Sequence, residues 1–337
     1  MNKLRNRIEN SKVNFASSFF KGLVVSILVV VIALVFGLSF GVNKTLDYKG
    51  GIIVSVVAGT QINLNEDKQY DLFKKEVDEV LNENKVHGKV YTVEVNEHEE
   101  YTLVVKCEND FKKSELETKL NKIKDEIVLK FNFNAEEVEL NNLVIVDTFG
   151  SSVPSKIWLS VSLASLIAIV LGAIYIFTRA GLFAGITSVL YSLFNLVLFF
   201  ATTIATRVPM SYASVYIVPA VTILSLISSF LFAKKVSELL KESDKYERES
   251  NEVLINDAVK ANLYPNIVYS LIICIFALVI GLANITNSVL FLALELFIAT
   301  AVVFLSGTFV LPGFFAKNFV RKVKRNKKKE EIKEENN

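Results

Sequence analysis

One acidic side chain, Glu295, stands alone between charge-free runs at 261–294 and 296–316. Its surroundings read Leu292-Ala293-Leu294-Glu295-Leu296-Phe297-Ile298. A carboxyl group in apolar material has two uses. It can pass a proton, or it can hydrogen-bond to a neighbouring helix or a partner subunit. Both readings stay open at this point. Asn195, Ser225, Ser228 and Ser229 also interrupt apolar runs. They suit contacts between membrane helices, worth about 0.6–2 kcal/mol each. Pro219 in the same region predicts a tolerated kink and no function. His87 and His98 lie in a charged stretch and read as solvated side chains. Cys107 and Cys274 fall in different compartments and have no metal-ligand spacing. No GxSxG, HExxH or P-loop pattern is present, so neither an enzymatic activity nor a metal or cofactor is expected. Asp47 and Gly50-Gly51 read as a tight turn, with the carboxylate able to accept local backbone hydrogen bonds.

The elements that must hold these residues follow from how apolar residues are distributed. Of 337 residues, 52% are apolar and 21% charged, against about 45–50% and 25% in ordinary soluble domains. The excess is gathered into charge-free blocks at 22–43, 157–178, 180–206, 208–233, 261–294 and 296–316. About 20 apolar residues in a helix cross the ~30 Å hydrocarbon layer. Six spans are therefore predicted, at 23–42, 157–177, 182–205, 212–233, 267–285 and 289–310. This excludes a soluble single-core fold and a disordered chain. A net charge of +2 from 37 basic and 35 acidic residues also argues against a nucleic-acid partner. The first span has a longer apolar core than a secretory signal and reads as an uncleaved anchor. On alternating inward, 21 of the 37 Lys and Arg fall on the side of the N-terminus, and the short opposite loops hold only Arg207. Both termini are thus expected in the cytoplasm.

Residues 43–156 differ in kind, with 22 Asp or Glu against 15 Lys. The stretch 51–58 is rich in β-branched residues. Tyr70, Phe73, Val77 and Val80 recur at helical spacing, and 90–95 with 101–107 read as a strand pair. Leu116, Leu120, Ile123 and Ile127 mark a second helix, and 143–146 a closing strand. The order β-α-β-β-α-β predicts a ferredoxin-like α+β extracytoplasmic domain. The expected fold class is an α-helical multi-pass membrane protein of six spans carrying that domain. Its segments are 1–22, the span 23–42, the domain 43–156, a five-span bundle 157–310 with an inner loop at 234–264, and a basic tail 311–337.

Thr45-Leu46-Asp47-Tyr48-Lys49-Gly50-Gly51, leading into Ile52-Ile53-Val54, resembles the Asp-Phe-x-Gly-Gly segment of the SecD/SecF family of protein-export subunits. Val146-Asp147-Thr148-Phe149-Gly150-Ser151-Ser152-Val153-Pro154 is similar to that family's run into the second span. Tyr175 to Arg179 looks like its Tyr-x-x-x-Arg exit, followed by Ala184-Gly185. One span, an outer domain of this size and five more spans is the layout of SecF. The chain departs from the family inside the membrane. Tyr191-Ser192 stands where His-Asp is usual, and Thr222 to Ile227 replaces Gly-Tyr-Ser-x-Asn-Asp. Ala233-Lys234 replaces Asp-Arg, and Pro265-Asn266 replaces Arg-Thr.

The resemblance implies an accessory subunit of the Sec translocase in the cell membrane. Its partners would be a SecD-like subunit, the SecYEG channel, the translocating polypeptide and the lipid bilayer. With most of the family's ionisable membrane residues missing, Glu295 is the remaining candidate for a proton relay, and a scaffold role is favoured. Two alternatives follow from the same layout. One is half of a resistance–nodulation–division exporter of small molecules or lipids; the other is a membrane assembly factor with no transport cycle.

Overall fold

The computed structural model describes residues 8, 13–59, 62–95, 100–109, 111, 113–131, 143–150, 155–242, 250–283 and 287–316. In chain order its main elements begin with α1 (Phe19–Phe40), β1 (Gly51–Gly59), α2 (Asp67–Glu83), β2 (Gly88–Val95) and β3 (Tyr101–Glu108). They continue with α3 (Lys113–Lys130), β4 (Val144–Phe149), α4 (Ser155–Ala180) and α5 (Leu182–Ala205). The last three are α6 (Ile217–Glu242), α7 (Asn251–Ala283) and α8 (Asn287–Phe309). The chain forms two compact units, Lys44–Pro154 and the remainder.

In the first unit, four antiparallel strands take the order β2-β3-β1-β4, which with two intervening helices is the ferredoxin-like arrangement. Val54 of β1 sits between Val105 of β3 and Val146 of β4. The two-residue period then puts Ile52, Val54, Val56, Leu103, Val105 and Cys107 on one face. Phe73, Val77 and Leu81 of α2, with Ile123 and Ile127 of α3, close over that face. The helical spacing seen in the sequence is thus the buried stripe of each helix. Helix α2 stops without a glycine. Lys85 takes the left-handed conformation at φ 60°, and Val86 N–H donates back to the Leu81 carbonyl at 2.9 Å, burying the Val86 side chain. Tyr91 on the edge strand donates to Asp78 of α2 at 2.7 Å. The strand β4 is longer than expected. Asp147, Thr148 and Phe149, which resemble part of the run into the second span, instead pair with Ile53, Ile52 and Gly51. Ser151–Pro154, the tail from Lys317 and His98 lie outside the described residues.

Burial pushes the Cys107 thiol up to about 12, with the nearby Asp78 carboxylate adding to the effect. Only the thiolate reacts with electrophiles. In a Cys274→Ser background, maleimide should therefore label the native chain at pH 7.5 at least ~10-fold more slowly than the denatured chain. Equal rates, read by mass shift, would show that this core is not formed.

Among its described residues the second unit has six helices long and apolar enough to cross a membrane, and the chain is a multi-pass membrane protein. Helices α5 and α6 are central, with Tyr191, Phe199, Val221 and Phe232 buried. One outward face of α1 carries Val24, Val25, Ile27, Leu28 and Val31, as expected where hydrocarbon is the solvent. The stretch 234–264, read from its charges as an inner loop, is largely helical. Helix α6 runs on to Glu242, and α7 begins at Asn251 and continues for 33 residues. The reason is an apolar stripe. Val236, Leu240, Leu254, Ile255, Ala258 and Val259 recur every three or four residues and bury against Phe15 and Phe315. Pro265 therefore lies within α7 rather than at its start, on its exposed side, where it costs the helix one i−4 hydrogen bond without disturbing the packed face.

Candidate functional site

Glu295 lies on the inner face of α8, one and two turns before Ala299 and Val303, and its side chain is fully buried. Its depth follows from helical phase, since 295, 299, 303 and 306 share one stripe. The group that meets it comes from the 3-10 turn Tyr212–Tyr216 ahead of α6. Ser214 Oγ donates to Glu295 Oε1 at 2.6 Å and itself accepts from the Ser211 N–H at 2.7 Å. Glu295 Oε2 has no hydrogen-bond partner. The geometry anchors the carboxyl by one oxygen and leaves the other unspent.

Eleven residues further along α8 is a second polar group, with no carboxylate, amine or imidazole among its bonded members. Tyr191 of α5 lies 3.0 Å from both the Val303 carbonyl oxygen and Ser306 Oγ. Ser306 Oγ donates to Asn195 Oδ1 at 2.6 Å, Asn195 Nδ2 donates to Ser225 Oγ at 2.9 Å, and Ser225 Oγ donates to the Val221 carbonyl at 2.7 Å. Each hydroxyl proton can be assigned once along this series, which joins α5, α6 and α8 and ends on backbone. Gly307 leaves room for it, because a Cβ there would stand 2.9 Å from Ser228 Oγ and 3.1 Å from the Tyr191 hydroxyl. Ser228 and Ser192 are buried without hydrogen-bond partners, and Ser229 bonds only to its own helix at the Leu226 carbonyl. Of the four polar residues singled out in the sequence, Asn195 and Ser225 thus meet each other across helices. Ser306, Ser214 and Tyr191 complete the two sites; the stripe shared by Glu295 and Ser306 was the available signal for Ser306.

The Asp47 to Gly51 segment is structurally separate from these groups. Asp47 lies in a single helical turn, Leu46–Lys49, closed when Gly50 N–H donates to the Leu46 carbonyl at 2.8 Å. Gly50 has φ 77° and ψ 176°, a conformation essentially reserved for glycine. Gly51 follows as the first residue of β1, packed so that any Cβ would press on the Cys107 carbonyl oxygen. These glycines are explained by backbone geometry. Ala184 is buried, and a Cβ on Gly185 would stand 2.8 Å from the Ala173 carbonyl, so this pair sets the close approach of α4 and α5. His87 is exposed, with Nδ1 2.6 Å from Asn82 Oδ1. No group of three metal-ligating side chains occurs among the described residues.

A six-helix membrane protein with a four-stranded ferredoxin-like unit is the class these features define. No family model matches the sequence, and no curated protein matches it. Among solved structures the chain is similar to the crystal structure of SecDF in its super-membrane-facing form, at 16% identity and a TM-score of 0.63. The match covers 96% of this chain and 40% of that one, so this chain spans well under half the length of its structural neighbour. The likeness is one of fold, and it agrees with the SecD/SecF resemblance of the short sequence patches.

Proposed function

We propose that this chain is a SecF-like accessory subunit of a protein-export translocase, acting beside a SecD-like subunit, the SecYEG channel and the emerging polypeptide. The observation that carries this reading is a SecDF likeness over 96% of the chain that leaves more than half of SecDF unmatched. A SecD-like half of similar layout would supply the rest. The basic residues support an orientation in the cell membrane with both termini cytoplasmic and the ferredoxin-like unit on the far side. The chain works without a cofactor and is not an enzyme. Affinity purification of the tagged full-length chain from mildly solubilised membranes tests this. Recovery of a six-span SecD-like protein is expected, and its absence from stoichiometric material would overturn the assignment.

Within that function the bundle acts as scaffold more than as proton path. A path through the membrane field needs side chains that change charge, and the bonded group around Asn195 holds no carboxylate, amine or imidazole, only hydroxyls, an amide and the Tyr191 phenol. Glu295→Gln keeps an acceptor for the Ser214 hydroxyl. Export by this variant is therefore expected within about twofold of the unmodified chain, with the same dependence on membrane potential, whereas Glu295→Leu should lose about 1–2 kcal/mol of stability. A tenfold loss of potential-driven export in Glu295→Gln would make the carboxyl a relay.

A further inference from the structure

A groove of about 530 Å³ runs between α1 and α8, floored by α5. Val25, Val29, Leu198, Val302, Leu305 and Phe309 form its walls. The hydroxyls that reach it are already spent. Ser26 donates to the Gly22 carbonyl, Thr202 to the Leu198 carbonyl and Ser306 to Asn195. Nothing along its length asks for water or for a polar ligand.

Its length matches an acyl chain. From Ser18 to Val29 on α1 and from Phe297 to Val310 on α8, the groove follows the helices for roughly 16–20 Å at 1.5 Å per residue. One leaflet of a bilayer has a hydrocarbon depth of about 15 Å, half of ~30 Å. A hydrocarbon chain, with neighbouring carbons in contact at ~4 Å, fits. At the end of the groove on the N-terminal side, the exposed Lys21 lies in the first turn of α1, and no carboxylate pairs with it among the described residues. A single cation at headgroup level above an apolar slot one leaflet deep selects negative charge.

We propose that this groove binds a phospholipid with an anionic headgroup, its acyl chain laid between α1 and α8 and its phosphate on Lys21. The inference requires only that these helices lie in a bilayer, and it stands whether or not the chain assists export. The test is native mass spectrometry of the full-length chain released from nanodiscs of equal parts phosphatidylglycerol and phosphatidylethanolamine. The unmodified chain should retain phosphatidylglycerol at least threefold over phosphatidylethanolamine. Lys21→Gln should abolish that preference without changing thermal stability. Ala301→Trp, which fills the slot, should remove the retained lipid of both kinds. Lys21 is exposed, so its variant carries the test even if Ala301→Trp fails to fold. Equal retention of the two lipids by the unmodified chain, or a preference unchanged in Lys21→Gln, would overturn the proposal. So would crosslinking of Val29→Cys to a second polypeptide in intact membranes, since the slot would then hold protein.

Discussion

Replacing Gly51 with valine is expected to destabilise the ferredoxin-like unit strongly while leaving the membrane helices unaffected. Gly51 opens the central strand β1 and pairs on both sides, with Glu108 of β3 and Phe149 of β4. A side chain there has no direction to go. Its Cβ would press on the backbone carbonyl of Cys107 and stand 3.2 Å from the Phe149 ring. Backbone in a doubly paired strand cannot yield as a side-chain tip can, so the loss should be ~3 kcal/mol or more, at the upper end of overpacking effects. Domains of this size are stable by only about 5–15 kcal/mol. Hydrogen exchange on the full-length chain would read the result as protection lowered about 100-fold or more across β1, β3 and β4, with that of α5 and α6 unchanged. Gly50→Ala should lose about 1–3 kcal/mol from backbone conformation alone. Unchanged protection in Gly51→Val would mean that β1 does not start where the structure places it.

The second large effect is expected from Asn195→Ala. This amide receives the Ser306 hydroxyl on α8 and donates to Ser225 on α6. Truncation leaves both serines buried with one partner fewer and opens space at a position of zero exposure. Two interhelical bonds at ~0.6–1.7 kcal/mol each, with a small cavity term, give about 2–3 kcal/mol. Thermal unfolding in detergent should show a fall of several degrees. Ser192→Ala is the control, because Ser192 is equally buried and has no hydrogen-bond partner, so its loss should be near zero. Matching shifts in the two variants would show that the amide bonds contribute nothing.

Much of this architecture is legible from the residues. Charge-free blocks locate six spans because hydrocarbon tolerates little else. Phe73 with Val77, and Ile123 with Ile127, locate the two helices of the ferredoxin-like unit by period alone. What the sequence hides is the consequence of mixed character. Between 234 and 264, charged residues on one helical face mask an apolar stripe on the other, so Val236 and Ile255 read as loop although both are buried. Ser214 and Ser306 are equally hard to see, since each is one serine among many until helical phase and a turn bring it to Glu295 or Asn195. Gly50 and Gly51 show the opposite. Their roles are local: Gly50 ends the Leu46–Lys49 turn at φ 77° and Gly51 opens β1.

Helix α7, at 33 residues, is about 50 Å long at 1.5 Å per residue, some 20 Å more than the hydrocarbon layer requires. Its first turns and the end of α6 form an arm with its own apolar seam, tied to the chain's N-terminal segment where Phe15 N–H donates to Asn256 at 2.9 Å and to the helical segment just after α8 through Phe232 and Phe315. Torque applied to that arm by a soluble protein would be delivered to several helices at once rather than absorbed by a slack connector.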